Sequence, residues 1–123
     1  FELLLCELAE NDRYSEGIGI ATKLKNIIHS NPEKFFSNKE LAEMTNVSVK
    51  TAETKFKSVQ GKTIHQYMLE FKIKEALSYF DIFPEISIKE IAYNLGFYDE
   101  YHFSKQFKKI IGISPSNYKK QQL

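Results

Sequence analysis

Apolar residues recur through most of this chain at intervals of three and four positions, which is the spacing of one face of an α-helix. The clearest stretch is residues 86–118, ISIKEIAYNLGFYDEYHFSKQFKKIIGISPSNY. Two apolar faces run through it, one formed by Ile88, Ile91, Ala92 and Leu95, and one formed by Phe103, Phe107 and either Ile110 or Ile111. The pattern predicts two short helices that each bury one face.

Polar residues and one glycine mark where these two helices begin and end. Ser87 and Glu90 have the spacing of a capping box, and Asp99 is a suitable N-cap for the second helix. Gly96 can adopt the positive φ angle that ends the first helix, and Phe97 follows it as a core residue. A short helix, a tight turn and a second helix with a polar outer face indicate a helix-turn-helix.

The same arrangement occurs earlier in the chain, in residues 37–60. Ser37 and Glu40 form another capping box, Asn46 stands at the turn, and Ser48 caps the next helix. The expected inner faces are Leu41, Ala42 and Met44 in the first helix and Ala52, Phe56 and Val59 in the second. Identical residues align the two units at an offset of 50 before the turn, as Glu40 with Glu90, and at an offset of 51 after it, as Phe56 with Phe107. The change of offset predicts one extra residue in the second turn.

Three further helices are predicted around these two units. An amphipathic helix over Ile18–His29 is stopped by Pro32. Residues 63–80 contain no glycine or proline and predict one long linker helix of about 17 residues. Its apolar stripe is Ile64, Tyr67, Met68, Phe71, Leu77 and Phe80. Pro115 favours the first position of a last short helix. The sequence therefore predicts an all-α fold in which a linker helix joins two helix-turn-helix subdomains.

The first sixteen residues combine a short apolar run with a polar end, FELLLCELAENDRYSE. Because the chain begins with Phe1 rather than Met, we expect it to be a fragment of a longer protein. Residues 1–16 are then the tail of an upstream domain and its linker. The other predicted boundaries are 17–62 for the first lobe, 63–80 for the linker helix and 81–123 for the second lobe.

The charge is unevenly distributed along the 123 residues, although the formal net charge is only +1. Residues 1–36 have a net charge of −2, and residues 37–123 have a net charge of +3. Residues 101–123 contain five lysines and no acidic residue. Such a patch either meets an anionic polymer or is a solvated face, and charge alone leaves both readings open.

Several classes of protein are disfavoured by what the sequence contains. The longest apolar run, Leu3–Cys6, is far shorter than the roughly 20 residues of a membrane span. A lone cysteine fits a reducing compartment, so we expect a cytoplasmic protein without membrane attachment. The three histidines are scattered, and no metal-binding or phosphate-cradling motif is present. We therefore expect no enzymatic activity, no metal and no cofactor.

The second unit carries the residues of a known family signature, and the first unit carries a weaker version of it. These residues are Ile91, Ala92, Gly96, Phe97, Phe103, Phe107, Lys108, Lys109, Gly112, Ser114, Pro115 and Tyr118, with Leu41, Ala42, Ser48, Phe56, Lys57 and Gly61 in the first unit. The chain resembles the AraC/XylS family of bacterial transcription regulators over about residues 18–120. The resemblance implies about seven helices and two recognition helices that enter successive major grooves of double-stranded DNA. It also implies an upstream sensor or dimerisation domain, a possible homodimer through that domain, and RNA polymerase as a partner.

The resemblance also assigns roles to single residues of the two recognition helices, which are expected at about 49–58 and 100–110. The implied base-reading residues are Lys50, Glu53 and Thr54 in the first helix and Glu100, Tyr101 and Lys105 in the second. The implied phosphate contacts are Ser37, Lys57, Ser87, Lys108, Lys109 and Ser114. The chemistry suits DNA, since lysine reaches guanine, glutamate accepts from cytosine, and threonine can touch the thymine methyl group.

Two alternatives remain open at these positions, and one remains open for the whole chain. Tyr101 could pack across the lobe surface, and Glu53, Asp99 and Glu100 could be surface or capping residues only. The chain could also be a protein-interaction module that contacts RNA polymerase or a partner regulator and binds DNA weakly or not at all. Lysines grouped with Thr54 and Tyr101 would favour DNA, whereas dominant acidic residues would favour the interaction module.

Overall fold

The computed structural model describes residues 2–122, with side chains described from residue 15 onward. This part of the chain contains seven α-helices and no strand. The helices are α1 (Glu2–Ser30), α2 (Asn38–Met44), α3 (Val49–Gln60), α4 (Ile64–Ile82), α5 (Ile88–Asn94), α6 (Glu100–Ile111) and α7 (Pro115–Gln121). The predicted all-α class with two helix-turn-helix subdomains and a linker helix is confirmed.

The described residues form two compact units that are not continuous in sequence. The first unit contains α1 together with residues 36–64. The second contains residues 31–35 together with the chain from residue 65 onward. The short connection between α1 and α2 therefore belongs to the second unit, although both of its neighbours in sequence belong to the first.

Helix α1 is longer than the sequence analysis predicts. Residues 2–30 form one helix, whereas a polar linker was expected before residue 17. Residues 10–16 are polar but contain neither glycine nor proline, so nothing in them breaks the helical backbone. Phe1 and the side chains of residues 2–14 lie outside the described part. The assignment of residues 1–16 to an upstream domain therefore stays a prediction.

The core of the first unit lies where α1 and α2 pack against α3. Its buried residues are Ile20, Ala21, Leu24, Ile28, Phe36, Leu41, Ala42, Ala52, Phe56 and Ile64. Met44, which was expected in this core, is 55% exposed. At 3.6 residues per turn it points roughly 110° away from the mean direction of Leu41 and Ala42, so it lies on the flank of α2.

Aromatic side chains form much of the core of the second unit. Phe107 makes edge contacts with Phe80 at 5.9 Å and with Tyr118 at 5.7 Å between ring centroids. These contacts join α6 to α4 and α7. Ile111 also packs on this core, whereas Ile110 is 38% exposed, so the inner face of α6 ends at Ile111.

Helix α4 is buried along a stripe that differs from the predicted one. The fully or nearly fully buried positions are Ile64, Met68, Lys72, Ile73, Ala76 and Phe80. The predicted members Tyr67, Phe71 and Leu77 are half-buried instead. The difference arises because the stripe includes a charged residue, Lys72, which a search for apolar periodicity passes over.

The turns of the two helix-turn-helix units have the same backbone conformation, except that the second turn contains one additional residue. Asn46 and Gly96 occupy the same place with φ angles of 56° and 78°. The next residue in each turn, Val47 or Phe97, donates its backbone N–H to the corresponding helix at 3.1 and 3.0 Å. Ser48 then caps α3 directly, whereas Tyr98 is inserted before Asp99, the cap of α6. The predicted extra residue is therefore Tyr98, and its side chain is 92% exposed.

Candidate nucleic-acid interface

Helix α3 presents one continuous polar face. Ala52 and Phe56 are buried, which leaves the opposite face to solvent. The residues on that face lie at i, i+3, i+4 and i+7 and are all exposed: Lys50, Glu53, Thr54 and Lys57. The structure thus brings together the three predicted base readers of the first unit and Lys57, one of its two predicted phosphate contacts.

The carboxylate of Glu53 is held from the neighbouring helix. Asn38, the first residue of α2, donates from Nδ2 to Oε1 of Glu53 at 2.8 Å. A carboxylate has a second oxygen and several lone pairs, so Glu53 retains capacity to accept from another group. The sequence analysis did not identify Asn38, because the two residues are 15 positions apart and only the folded turn places them side by side.

Helix α6 presents an equivalent face in the second unit. Phe103 and Phe107 are buried, and Tyr101, Lys105 and Lys108 are exposed on the opposite side. Tyr101 is 74% exposed, which argues against the alternative that it packs across the surface. Ser104 shares this face and is half-buried. It was not predicted as a site residue, although the offset of 51 pairs it with Glu53.

The acidic residues at the start of α6 have different surroundings. Asp99 accepts the backbone N–H of His102 at 2.7 Å and is the N-cap of the helix. Asp99 is therefore a capping residue, which was one of the alternatives for this position. Glu100 is exposed in the first turn, where a negative charge interacts favourably with the helix dipole. Its contact with a base stays a prediction.

The three predicted serine contacts are all N-caps. Ser87 accepts from the backbone of Glu90 at 3.1 Å, and Ser114 accepts from that of Asn117 at 3.2 Å. In each case the hydroxyl proton is available to a second acceptor, since a hydroxyl both donates and accepts. Ser37 differs because its hydroxyl also donates to the Glu40 carboxylate at 3.3 Å. Its hydroxyl is therefore a poorer phosphate ligand than the other two.

The lysines near the C-terminus do not form one uniform exposed patch. Lys105, Lys108 and Lys109 are exposed on α6. Lys119 is half-buried and donates from Nζ to the carbonyl oxygen of Ile86 at 2.7 Å, which ties α7 to the segment before α5. The positive charge that is available to an anionic partner is therefore concentrated on α6.

The described residues contain neither a helix suited to cross a membrane nor a cluster of metal-binding side chains. Residues 2–122 include no helix with an apolar stretch long enough to cross a membrane. Among the side chains of residues 15–122, no three of the types His, Cys, Asp or Glu are grouped closely enough to hold a metal ion.

Comparison with known proteins identifies the fold family. A protein-family model described as a helix-turn-helix domain matches residues 41–121, a range that includes parts of both units. The chain belongs to the AraC-type helix-turn-helix family. The predicted family is thereby confirmed.

Individual known proteins resemble the chain over most of its length. The Msm operon regulatory protein of Streptococcus mutans is 32% identical over 99 residues, which are 80% of this chain and 35% of that protein. The chain thus spans about a third of that relative. A transcriptional regulator with an AraC-type domain from Chromobacterium violaceum has a TM-score of 0.78 at 24% identity, covering 88% of this chain and 96% of that one. The DNA-binding domain of AdpA, solved with a target DNA, has a TM-score of 0.77 at 20% identity, covering 82% and 90%.

Proposed function

We propose that this domain binds double-stranded DNA sequence-specifically, as part of a bacterial transcription regulator, and inserts α3 and α6 into successive major grooves. The observation that carries the proposal is the exposed polar face on each of these two helices. The major groove is about 12 Å wide and admits one α-helix. The proposal is also supported by the regulatory names of the relatives and by the target DNA bound to the AdpA domain.

The exposed side chains divide into two proposed roles. Lys50, Glu53 and Thr54 on α3, and Glu100, Tyr101 and Lys105 on α6, face base edges and supply sequence preference. The proposed phosphate contacts are Lys57, Lys108, Lys109, Ser87, Ser114 and, with the weakest support, Ser37. Phosphate contacts fix the register of the protein on the duplex, whereas base contacts provide discrimination.

We also propose that the longer protein that contains this domain acts in the cytoplasm and contacts RNA polymerase. An upstream sensor or dimerisation domain is proposed to form a homodimer. This proposal extends the family resemblance to a longer protein; the Msm operon regulatory protein is longer than this chain, which spans about a third of it. Catalysis has no place in the proposal, since the relatives are regulators rather than enzymes.

The test is selection of bound duplexes from a randomised pool at two salt concentrations. Enrichment of a two-part site, with its halves about one helical turn apart, is the expected result. Enrichment of one half alone would limit base reading to a single unit. Binding without enrichment would leave a non-specific electrostatic binder. Absence of binding at low salt would contradict the proposal and favour the protein-interaction module.

A further inference from the structure

Lys72, in the middle of α4, is the charged side chain that the fold buries. It is 1% exposed, and no other charged or polar residue among those with described side chains is buried to this extent. An ammonium group removed from water costs free energy unless it is paired or hydrogen-bonded. The groups that contact the ammonium therefore explain how a lysine is stabilised at this buried position of α4, where the neighbouring buried residues are apolar.

The Lys72 ammonium joins two segments that are distant in sequence. It donates to the carbonyl oxygen of Leu95 at 2.8 Å and to that of Pro32 at 2.5 Å. It also lies 4.4 Å from the centre of the Phe35 ring, within the range of a cation–π interaction. Leu95 is the C-cap of α5 and the residue before the positive φ of Gly96. The ammonium therefore bonds to the turn itself.

Residues 31–35 pack directly against the same turn. A Cβ built on Gly96 would lie 2.9 Å from the carbonyl carbon of Glu33 and closer still to its oxygen. The Phe35 ring makes an edge contact with Phe97 at 5.0 Å, and Phe97 contacts Phe103 of α6 at 5.2 Å. A continuous series of contacts thus runs from residues 31–35 through the turn to α6.

The first turn has a different requirement at the equivalent position. Asn46 adopts nearly the same φ angle as Gly96 but carries a side chain. The glycine of the second turn is therefore needed for the close approach of Glu33 and not only for the φ angle.

We propose that Lys72 is a positioning residue of the second helix-turn-helix, which holds the α5–α6 turn against residues 31–35 and thereby fixes the direction in which α6 presents its exposed face. The DNA-binding consequence rests on the proposed function. Loss of the ammonium leaves the carbonyl groups of Leu95 and Pro32 without this donor, and an unpaired buried carbonyl favours rearrangement of the turn.

The first test is amide hydrogen exchange, which needs no DNA. The variants are Lys72→Met, which is apolar and of similar length, Lys72→Arg, which keeps the donors, and Lys74→Met as an exposed control on the same helix. We expect exchange at Gly96 and Phe97 to accelerate by about tenfold or more in Lys72→Met, relative to Val47 in the first turn. Lys72→Arg should restore protection, and Lys74→Met should not alter it. Unchanged protection in Lys72→Met would overturn the proposal.

A second measurement covers the case in which Lys72→Met does not fold. In the unsubstituted protein, an ammonium group that is buried and hydrogen-bonded to two carbonyl oxygens exchanges its protons slowly enough to give an NMR signal. We expect cross-peaks from that signal to the Phe35 ring and to the backbone of Leu95. An exposed, rapidly exchanging Lys72 ammonium would overturn the proposal without any substitution.

The DNA test uses the duplex selected by the unsubstituted protein, with each half-site scrambled in turn. Lys72→Met should lower discrimination between the intact and the scrambled sequence by about tenfold at the half-site read by α6, and it should preserve that discrimination at the half-site read by α3. Lys72→Arg should recover discrimination at the half-site read by α6. A purely structural role would lower binding to all duplexes equally. If the unsubstituted protein selects no duplex, the proposed function fails, and the exchange experiment still decides the role of Lys72 in the turn.

Discussion

Asn38 donates from Nδ2 to Oε1 of Glu53 at 2.8 Å and so joins the first residue of α2 to the outer face of α3. The contact restricts the rotamers of a side chain proposed to read a base. This exposed acidic residue is thus kept in one orientation, with its second oxygen available. Asn38 contributes to the interface through Glu53, without an assigned contact of its own.

Asn38→Ala should destabilise the first unit slightly and relax base preference at the position assigned to Glu53. The hydrogen bond to a charged acceptor is exposed, so we expect a loss of about 0.5–1.5 kcal/mol in the free energy of unfolding. Denaturant unfolding of Asn38→Ala, Glu53→Ala and the double variant measures the coupling between the two side chains. Additive effects in that cycle would show that the contact contributes nothing in solution.

Lys105→Ala should weaken binding to the selected duplex by about 1–3 kcal/mol and relax preference at one base pair. Lys105 is exposed on the outer face of α6, one turn after Tyr101. We propose that its long side chain contacts a base edge. Titration against selected and random duplexes measures the difference. Equal losses on both would assign Lys105 to the phosphate backbone instead.

Lys108→Ala should weaken binding to all duplexes by similar factors. Lys108 lies in the last turn of α6, and we assign it to a phosphate. Each phosphate contact that is lost should reduce the slope of log K against log salt by about one unit. The matched control is Lys74→Ala, an exposed lysine on α4 outside the proposed interface, which should leave the slope unchanged. A slope that Lys108→Ala does not alter would remove the phosphate assignment.

Ala92→Leu should destabilise the second unit by about 1–3 kcal/mol, because larger side chains overpack a filled core. Ala92 is 2% exposed, and its carbonyl oxygen accepts the N–H of Phe97 at 3.0 Å. Thermal unfolding measures the effect. Lys89→Leu, which introduces the same side chain at an exposed position of α5, serves as the control. A melting temperature equal to that of the parent would mean that α5 and α6 are not closely packed there.

The stability that depends on Lys72 should increase between pH 8 and pH 10.5. Burial lowers the pKa of Lys72 from 10.5 to about 8, and the charge of Glu33 opposes this shift only in part. In that interval the unfolded chain binds more protons than the folded one, so the free energy of unfolding rises with pH. The full effect is at most about 3 kcal/mol.

This pH dependence is measured as the difference between the parent and Lys72→Met, which cancels the titration of tyrosines and other lysines. The difference in unfolding free energy should be constant below pH 7 and should move in favour of the parent above pH 8. A flat difference up to pH 10.5 would mean that Lys72 is not buried as a charged group.

Local signals in the sequence were sufficient to predict where the helices of the second helix-turn-helix begin and end. Ser87 and Asp99 are the N-caps that the spacing predicted, and Gly112 ends α6 at a φ angle of 100°. Capping is decided within a few residues, so these positions can be recognised without knowledge of the rest of the fold. The repeat added information that neither unit held alone, since the change of offset predicted the residue now identified as Tyr98.

Two of the features that sequence reasoning missed depend on contacts between distant residues. The bond between Asn38 and Glu53 and the burial of Lys72 have no periodic or local signature. The polar middle of α1 was read as a linker because its composition is polar, although it contains no residue that interrupts a helix. The assigned DNA contacts on α3 and α6 stay predictions, since exposure shows that a side chain is accessible but not what it touches.

The membership of residues 31–35 in the second unit has a consequence for dissecting this protein at the gene level. No single cut divides the coding sequence into two complete halves, because each unit is encoded by two separate stretches. A fragment that starts at residue 65 lacks the Glu33 carbonyl and the Phe35 ring that pack on its own turn. The two units resemble a tandem duplication in sequence, yet the stretches that build them alternate along the chain, so an exchange of one unit has to carry both of its stretches.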